Sequence, residues 1–278
     1  MAGTDDAPAT GLAAVVFDWA GTVVDFGSQA PMGAFVELFA SEDVAITVAE
    51  ARVPMGLPKW QHIQALGRLP TVAAAWRRRH GRDMDVADID RLYERFTPMN
   101  RAAVPRHAQL IEGVPTLMRE LRERGLKIGS TTGYNREIMD VLVPLAAAQG
   151  FVPDNLVCAG DVSENRPAPL GMYRCFIELG VWPARRVVKV DDTVPGLMEG
   201  RHAGCWTVAI TVSGNETGLS AEAWAALPAD EQSRRRTAAA ARLAVAQPDY
   251  TIDTVAELLP VLQAIERRLA AGEGPPPA

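Results

Sequence analysis

Short apolar runs alternate along the chain with longer segments of helical periodicity. The first run, Val15-Val16-Phe17, delivers Asp18 to its end, and Gly21-Thr22 follow where a turn is expected. A short apolar run bounded by turn signals predicts a buried parallel strand. Similar runs lie at 126–130, 155–157, 186–190, 206–212 and 250–252. The segments between most of them have helical spacing, at 113–124, 136–148, 170–179, 195–203, 220–246 with a break at Pro228, and 255–269. Gly125 is placed to close the first of these as a C-terminal glycine does. Residues 272–278 read as a disordered tail.

From 31 to 103 the pattern changes, and only helical signals occur. A helix is expected at 31–39. Thr47-Val48-Ala49-Glu50 is a capping-box pattern opening a second helix, which Pro54 stops. After the turn Met55-Gly56-Leu57, Pro58 stands as a first helical residue before Lys59, Trp60, His62, Ile63 and Leu66. Further helices are expected at 71–79 and 86–103. Strands alternating with helices imply an α/β, Rossmann-like parallel sheet with helices on both faces. Here that core comprises 1–26 and 104–278, interrupted by an all-helical insert at 27–103.

A chain of 278 residues can bury such a core together with a smaller second unit. The net charge of -6 excludes a nucleic-acid partner held by clustered basic residues. The one basic run, Arg77-Arg78-Arg79-His80, gives way to acidic residues and reads as a solvated helix end. Cys158, Cys175 and Cys205 are odd in number and widely spaced, which predicts free thiols rather than a disulfide framework or a metal site. The first ten residues lack the basic start and apolar centre of a secretory signal, and no apolar stretch suits a bilayer. A cytoplasmic protein without membrane contact is expected.

The chemistry gathers at the strand ends. In an open α/β sheet, ligands bind beyond the carboxyl ends of the strands. There the sequence places Asp18, then Ser130-Thr131-Thr132, then Asp191-Asp192, with Arg166 in a loop before Pro167. Asp18 with one of Asp191 or Asp192 suits a hard divalent cation, most naturally Mg²⁺. The hydroxyl of Thr131 or Thr132, backbone amides and Arg166 suit phosphoryl oxygens. Together they suit phosphoryl transfer to a carboxylate nucleophile.

This order of residues resembles the haloacid dehalogenase superfamily, in which the first aspartate is the nucleophile and a helical cap often follows the first strand. Three finer stretches are similar to the phosphonatases (phosphonoacetaldehyde hydrolases): Phe17-Asp18-Trp19-Ala20-Gly21-Thr22, Pro54-Met55-Gly56-Leu57 with Lys59 and His62, and Gly129-Ser130-Thr131-Thr132-Gly133-Tyr134. The similarity runs from about residue 12 to residue 269. It implies hydrolysis of the C–P bond of a small phosphonate, phosphonoacetaldehyde, to acetaldehyde and phosphate. By the same resemblance Lys59 forms a Schiff base with the aldehyde; His62, one helical turn from Lys59, is placed to shuttle protons through water, though the same spacing suits a packed histidine. Met55, Gly56, Thr132, Tyr134 and Arg166 line the substrate site. Mg²⁺ is held by Asp18, Ala20 and Asp192, of which Ala20 has only its main chain to offer. A homodimer through the cap is also implied, with Phe39, Trp60 and Trp76 as candidate contacts. The chain departs from the pattern at Ser28, at Asp191, where glycine is commoner, and at Gly196, where an acidic residue often stands.

Ala20 discriminates between reactions. Many phosphatases of the superfamily carry a second aspartate there, which protonates an alkoxide leaving group; alanine cannot. When a C–P bond breaks the departing group is a carbanion, and an imine on an adjacent carbon takes up its electrons as an enamine. Lys59 must then be deprotonated. Moving a lysine from about 10.4 to near 7–8 requires roughly 4 kcal/mol, whereas a helix dipole supplies about 0.3–1. Desolvation under the cap must supply most of the shift. The alternatives are a phosphate-monoester phosphatase in which Lys59 only binds phosphate, and a non-catalytic phosphonate-binding protein.

Overall fold

The computed structural model describes residues 11–277, so the reading of the first ten residues and of Ala278 lies outside it. Strand β1 (Ala14–Phe17) is followed by five helices: α1 (Ala30–Ala40), α2 (Val48–Arg52), α3 (Lys59–Arg68), α4 (Pro70–His80) and α5 (Val86–Ala103). The alternating part then runs α6 (Val114–Glu123), β2 (Lys127–Ser130), α7 (Arg136–Ala147), α8 (Leu170–Leu179), β3 (Val187–Asp191), α9 (Val194–His202) and β4 (Trp206–Ile210). It finishes with α10 (Ala221–Ala225), α11 (Ala229–Leu243), β5 (Tyr250–Ile252) and α12 (Leu258–Ala270).

The five strands pair in parallel in the order β2-β1-β3-β4-β5, and β1, β3 and β4 are buried along their whole length. Burial on both faces explains why these strands are apolar runs without alternation. Val15 and Phe17 pack with α6, α7 and α12 on one side, while Ala14 and Val16 pack with α8 on the other. The run at 155–157 is not a strand; Val157 makes a single bridge to Thr131. With one apolar pair and no room for a longer ladder, it serves only to support the loop beyond β2.

No strand occurs between α1 and α5. Both capping boxes of this region form, Thr47 with Glu50 and Asp85 with Asp88. The helices close around Phe35, Phe39, Ile63, Leu66, Trp76 and Phe96, all completely buried. Each such side chain contributes roughly 1.5–3 kcal/mol relative to exposure. Phe39 and Trp76 therefore belong to the interior of the insert and cannot offer a dimer face. Trp60 is half-buried and donates its indole N–H to Asp90. The three cysteines are free and buried. Among the described residues no helix is long and apolar enough to cross a membrane. The tail leaves α12 through Gly272 without regular structure, and the Pro277 carbonyl accepts a hydrogen bond from Arg201.

Candidate active site

The register of the sheet brings the chemistry together. Asp18 follows β1 and its N–H continues the ladder to the Val190 carbonyl at 3.0 Å. Thr131 follows β2, Asp191 ends β3 and Asp192 comes next, so all four stand on one edge of three adjacent strands. The carboxylates of Asp18, Asp191 and Asp192 offer oxygens within 4.8 Å of one another, and all three are buried.

A buried ionic network supports this edge. Arg166 donates from Nη1 to Asp18 Oδ1 at 2.7 Å, from Nη2 to the Thr131 carbonyl at 2.8 Å, and from Nε to Glu199 at 3.0 Å. Thr131 Oγ1 donates to Glu199 at 2.8 Å while accepting from Arg166 and from Lys189, each at 2.6 Å. One donor and two lone pairs exhaust a hydroxyl. Thr131 is thus a structural member of the network, and Thr132, which lines the cavity beside Asp18, is the hydroxyl left for a ligand.

The two neighbouring aspartates now separate. Asp191 accepts from the Thr193 N–H and hydroxyl at 3.0 and 2.8 Å, and its other oxygen lies 3.1 Å from Lys189 and 3.4 Å from Arg166. Burial would raise its pKa, but the two cations outweigh burial and hold it below the usual range. Asp192 has no such partner. It accepts from Asn215 N–H at 2.7 Å and from Thr22 at 3.3 Å, and burial with the nearby Asp18 and Asp191 charges pushes its carboxyl well up. Asp18 is likewise raised to about 6, by burial first and by Asp191 second, against the pull of Arg166. Two buried neighbouring carboxylates, one unpaired and one still raised despite Arg166, are the donor set that a hard cation satisfies. Asp18 and Asp192, with Ala20 beside them in the cavity wall, fit Mg²⁺.

Gly196 accounts for the other departure from the family pattern. A Cβ there would meet the Asp191 carboxylate at 2.0–2.3 Å. The carboxylate from β3 occupies the volume that a side chain from α9 would need.

Lys59 enters from above. It is the first residue of α3, 5% exposed, with Nζ 3.8 Å from Met55 Sδ, 5.0 Å from the Tyr134 ring centroid and 5.8 Å from that of Phe35. Burial lowers its pKa to about 8, and Asp18 opposes that shift. Desolvation is therefore the dominant cause, as the size of the shift demands. Met55, Gly56, Thr132, Tyr134 and Arg166 line one cavity with Asp18, Ala20 and Lys59. Gly56 has φ +90°, and a Cβ on it would lie 2.4 Å from Thr193 Oγ1, so only glycine lets this loop sit on the core.

His62 is not brought into that cavity. Its Nε2 lies 2.8 Å from the Ala51 carbonyl, which requires the hydrogen on Nε2 and leaves Nδ1 bare and without a partner. The ring stacks on Phe35 at 4.0 Å, and burial together with Lys59 depresses its pKa well below the ordinary value. It packs beneath the lysine instead of facing the ligand space.

Sequence reasoning missed Lys189 and Glu199. A signal for the first was present: the chain has three lysines, Lys59, Lys127 and Lys189, among 28 basic residues, and Lys189 sits inside an apolar strand. A completely buried lysine needs anionic partners close by. Glu199 carries no such mark, because a lone glutamate in a short helix reads as a solvated side chain. Ser28, also in the cavity wall, was noticed only as a departure.

The family model for haloacid dehalogenase-like hydrolases matches residues 12–204. The chain is 52% identical to a phosphonoacetaldehyde hydrolase of Paraburkholderia xenovorans over 94% of this chain and 98% of that protein. It is 51% identical to one of Aeromonas hydrophila over 96% and 97%. A crystal structure of a phosphonoacetaldehyde hydrolase-like protein from Oleispira antarctica superposes with a TM-score of 0.93 at 43% identity, covering 95% of this chain and 96% of that one. The β-phosphoglucomutase of Clostridium difficile, 13% identical with a TM-score of 0.65, shares the fold alone. On these grounds the chain belongs to the phosphonoacetaldehyde hydrolases within the haloacid dehalogenase-like hydrolases.

Proposed function

We propose that this hydrolase cleaves the C–P bond of phosphonoacetaldehyde through a Schiff base on Lys59 and an aspartyl-phosphate on Asp18. One observation carries the reading. Among the described residues that line the cavity, the titratable groups are Asp18, Lys59, Tyr134 and Arg166, and no carboxylic acid faces the leaving-group side. Tyr134 is pushed well above its ordinary value by burial, and Arg166 is held protonated against burial by Asp191, Glu199 and Asp18. An alkoxide would find no second carboxylic acid to protonate it, whereas an aldehyde finds a buried amine.

The steps balance as follows. The Lys59 amine adds to the aldehyde carbon, and loss of water with uptake of one proton from solvent gives a protonated imine. An Asp18 oxygen attacks phosphorus, and the P–C electron pair moves into the C–C–N system as an enamine. Protonation at carbon and addition of water release acetaldehyde and the amine. A second water hydrolyses the aspartyl-phosphate. Arg166 and Thr132 orient the phosphoryl oxygens, Met55 and the Tyr134 ring exclude water from the imine, and His62 holds the α3 turn beneath Lys59. Mg²⁺, when held by Asp18, Ala20 and Asp192, supplies positive charge against the phosphoryl oxygens.

The proposal places the enzyme in the cytoplasm, where three unpaired buried thiols are at home. It treats residues 27–103 as a cap that moves on the core. Pairing of two copies through the cap rests on the family resemblance, and its face must come from residues other than Phe39 and Trp76. Borohydride added with phosphonoacetaldehyde should fix an adduct on Lys59. Full turnover by Lys59→Arg overturns the Schiff base. Phosphate release from sugar phosphates with none from phosphonoacetaldehyde favours the phosphatase.

A further inference from the structure

Arg52, the last residue of α2, has no part in the chemistry above, yet its guanidinium spans the seam between cap and core. Nη1 donates to the Gly27 carbonyl at 2.8 Å, the Ser28 carbonyl at 3.3 Å and Asn215 Oδ1 at 3.1 Å. Nη2 donates to the Gly218 carbonyl at 3.1 Å. One prong thus holds the chain entering the cap, and both hold a core loop. That loop, 213–218, is the one that seats Asp192: Asn215 N–H donates to its carboxylate at 2.7 Å, and Ser213 Oγ donates to the Gly21 carbonyl at 2.9 Å. Burial weakens the hold of Arg52 on its proton, and Asp25, Asp192 and Glu216 strengthen it.

The cavity under the closed cap is only about 30 Å³, room for about two waters and too small for a phosphonate. On the proposed reading the cap lifts to admit substrate, and lifting draws Arg52 off the loop. We propose that Arg52 is a positioning residue: by gripping loop 213–218 only while the cap is down, it couples closure over Lys59 to the placement of Asp192. This inference rests on the moving cap and cation site of the preceding section. Coupling between two binding events is reciprocal, so whatever closure does for cation binding the cation does for closure.

The test uses the full chain and two readouts besides turnover. The first is the rate at which trinitrobenzenesulfonate modifies Lys59 without metal, read by peptide mass spectrometry against exposed Lys127. The second is Mn²⁺ affinity by electron paramagnetic resonance, with and without inorganic phosphate. In the unaltered protein, phosphate should slow modification of Lys59 and tighten Mn²⁺. In Arg52→Gln, Lys59 should be modified about tenfold faster and phosphate should no longer tighten Mn²⁺, a loss of the ordinary size for coupled sites. Arg52→Lys keeps the charge but not the fork, and should behave like Arg52→Gln. If Arg52→Gln does not fold, Asn215→Ala, which leaves the backbone N–H on Asp192, should show the same changes in smaller measure. Equal modification rates and equal phosphate effects in unaltered and altered chains overturn the proposal. A failure of borohydride to fix Lys59 would instead sink the chemistry, and leaves the modification assay intact as a test of the latch.

Discussion

Lys59 should make the protein less stable at neutral pH than a chain without it. Its amine has a pKa of about 8 in the folded chain against an ordinary value of 10.5. Each unit corresponds to 1.36 kcal/mol, so holding the ammonium in this cavity costs about 3 kcal/mol. The sign follows from proton counts. Between pH 8 and 10.5 the unfolded chain keeps this proton and the folded chain has lost it. Stability therefore rises with pH across that window, and below it the penalty is present in full. One effect reduces it: the aromatic faces of Tyr134 and Phe35 attract the ammonium by roughly 0.5–2 kcal/mol. Lys59→Met, of similar length and uncharged, should be more stable by about 1–3 kcal/mol at pH 7 and inactive.

Urea denaturation of both chains at pH 7 and pH 9.5 checks this. All other titrations are shared, so the difference between the two proteins isolates Lys59. The gain should shrink by more than half at the higher pH. A gain independent of pH, or a less stable variant at pH 7, would refute desolvation as the source of the shift.

Three further outcomes follow from the site. Glu199→Gln keeps volume but removes the anion that Arg166 Nε and Thr131 share, and kcat/KM for the phosphonate should fall about 10–100-fold, the range of other outer-shell partners. Gly196→Ala drives a methyl into the Asp191 carboxylate and should cost about 1–3 kcal/mol by urea melts, whereas adding Asp191→Ala should recover part of that loss. The pH profile of kcat/KM should rise through two limbs, near pH 8 for Lys59 and at or below pH 6 for Asp18, because both act deprotonated. A bell whose falling limb lies near pH 8 would mean that the ammonium is the working form, as in the rival phosphatase.

The fold was legible because its strands and helices carry their own local signals. The run before Asp18, the capping box at Thr47 and Glu50, and the 86–103 periodicity all became the expected elements, with ends shifted by a residue or two at most places. Residues 155–157 misled because a three-residue segment with one apolar pair has too little pattern to separate a strand from a supporting bridge. At the site, strand-end polar groups were readable since packing alone does not call for carboxylates at the ends of buried strands, although a turn-capping aspartate gives the same pattern. The choice between Asp191 and Asp192 was not, for it depends on which side of β3 each faces and on Lys189 two residues earlier on the Asp191 side. His62 was read as a solvent-linked base from its spacing to Lys59, but spacing cannot show that its Nε2 is already committed to the Ala51 carbonyl. Arg52 carried no motif at all; its core partners, Asn215 and Gly218, lie more than 160 residues away in sequence, which no local pattern announces.

On the proposed Schiff-base route, the charges also account for a lysine working beside a phosphonate dianion. Arg166 is shared among Asp18, Asp191 and Glu199, and Lys189 is taken up by Asp191 and Glu199, so beyond Arg166 and a cation on Asp18 and Asp192 the positive charge that meets an incoming phosphonate in the cavity belongs to Lys59. That dianion opposes loss of the Lys59 proton, and burial alone leaves only about a tenth of the amine free at pH 7. The opposition ends once the amine adds to the aldehyde. The protonated imine restores the positive charge next to the dianion, in a cavity where water is nearly excluded and the attraction is correspondingly strong. The field that makes the free amine scarce therefore stabilises the electron sink that the C–P bond requires. It does so only for a phosphonate whose carbonyl lies one carbon from the bond to be broken, and that restriction sets the substrate more firmly than the fit of the cavity does.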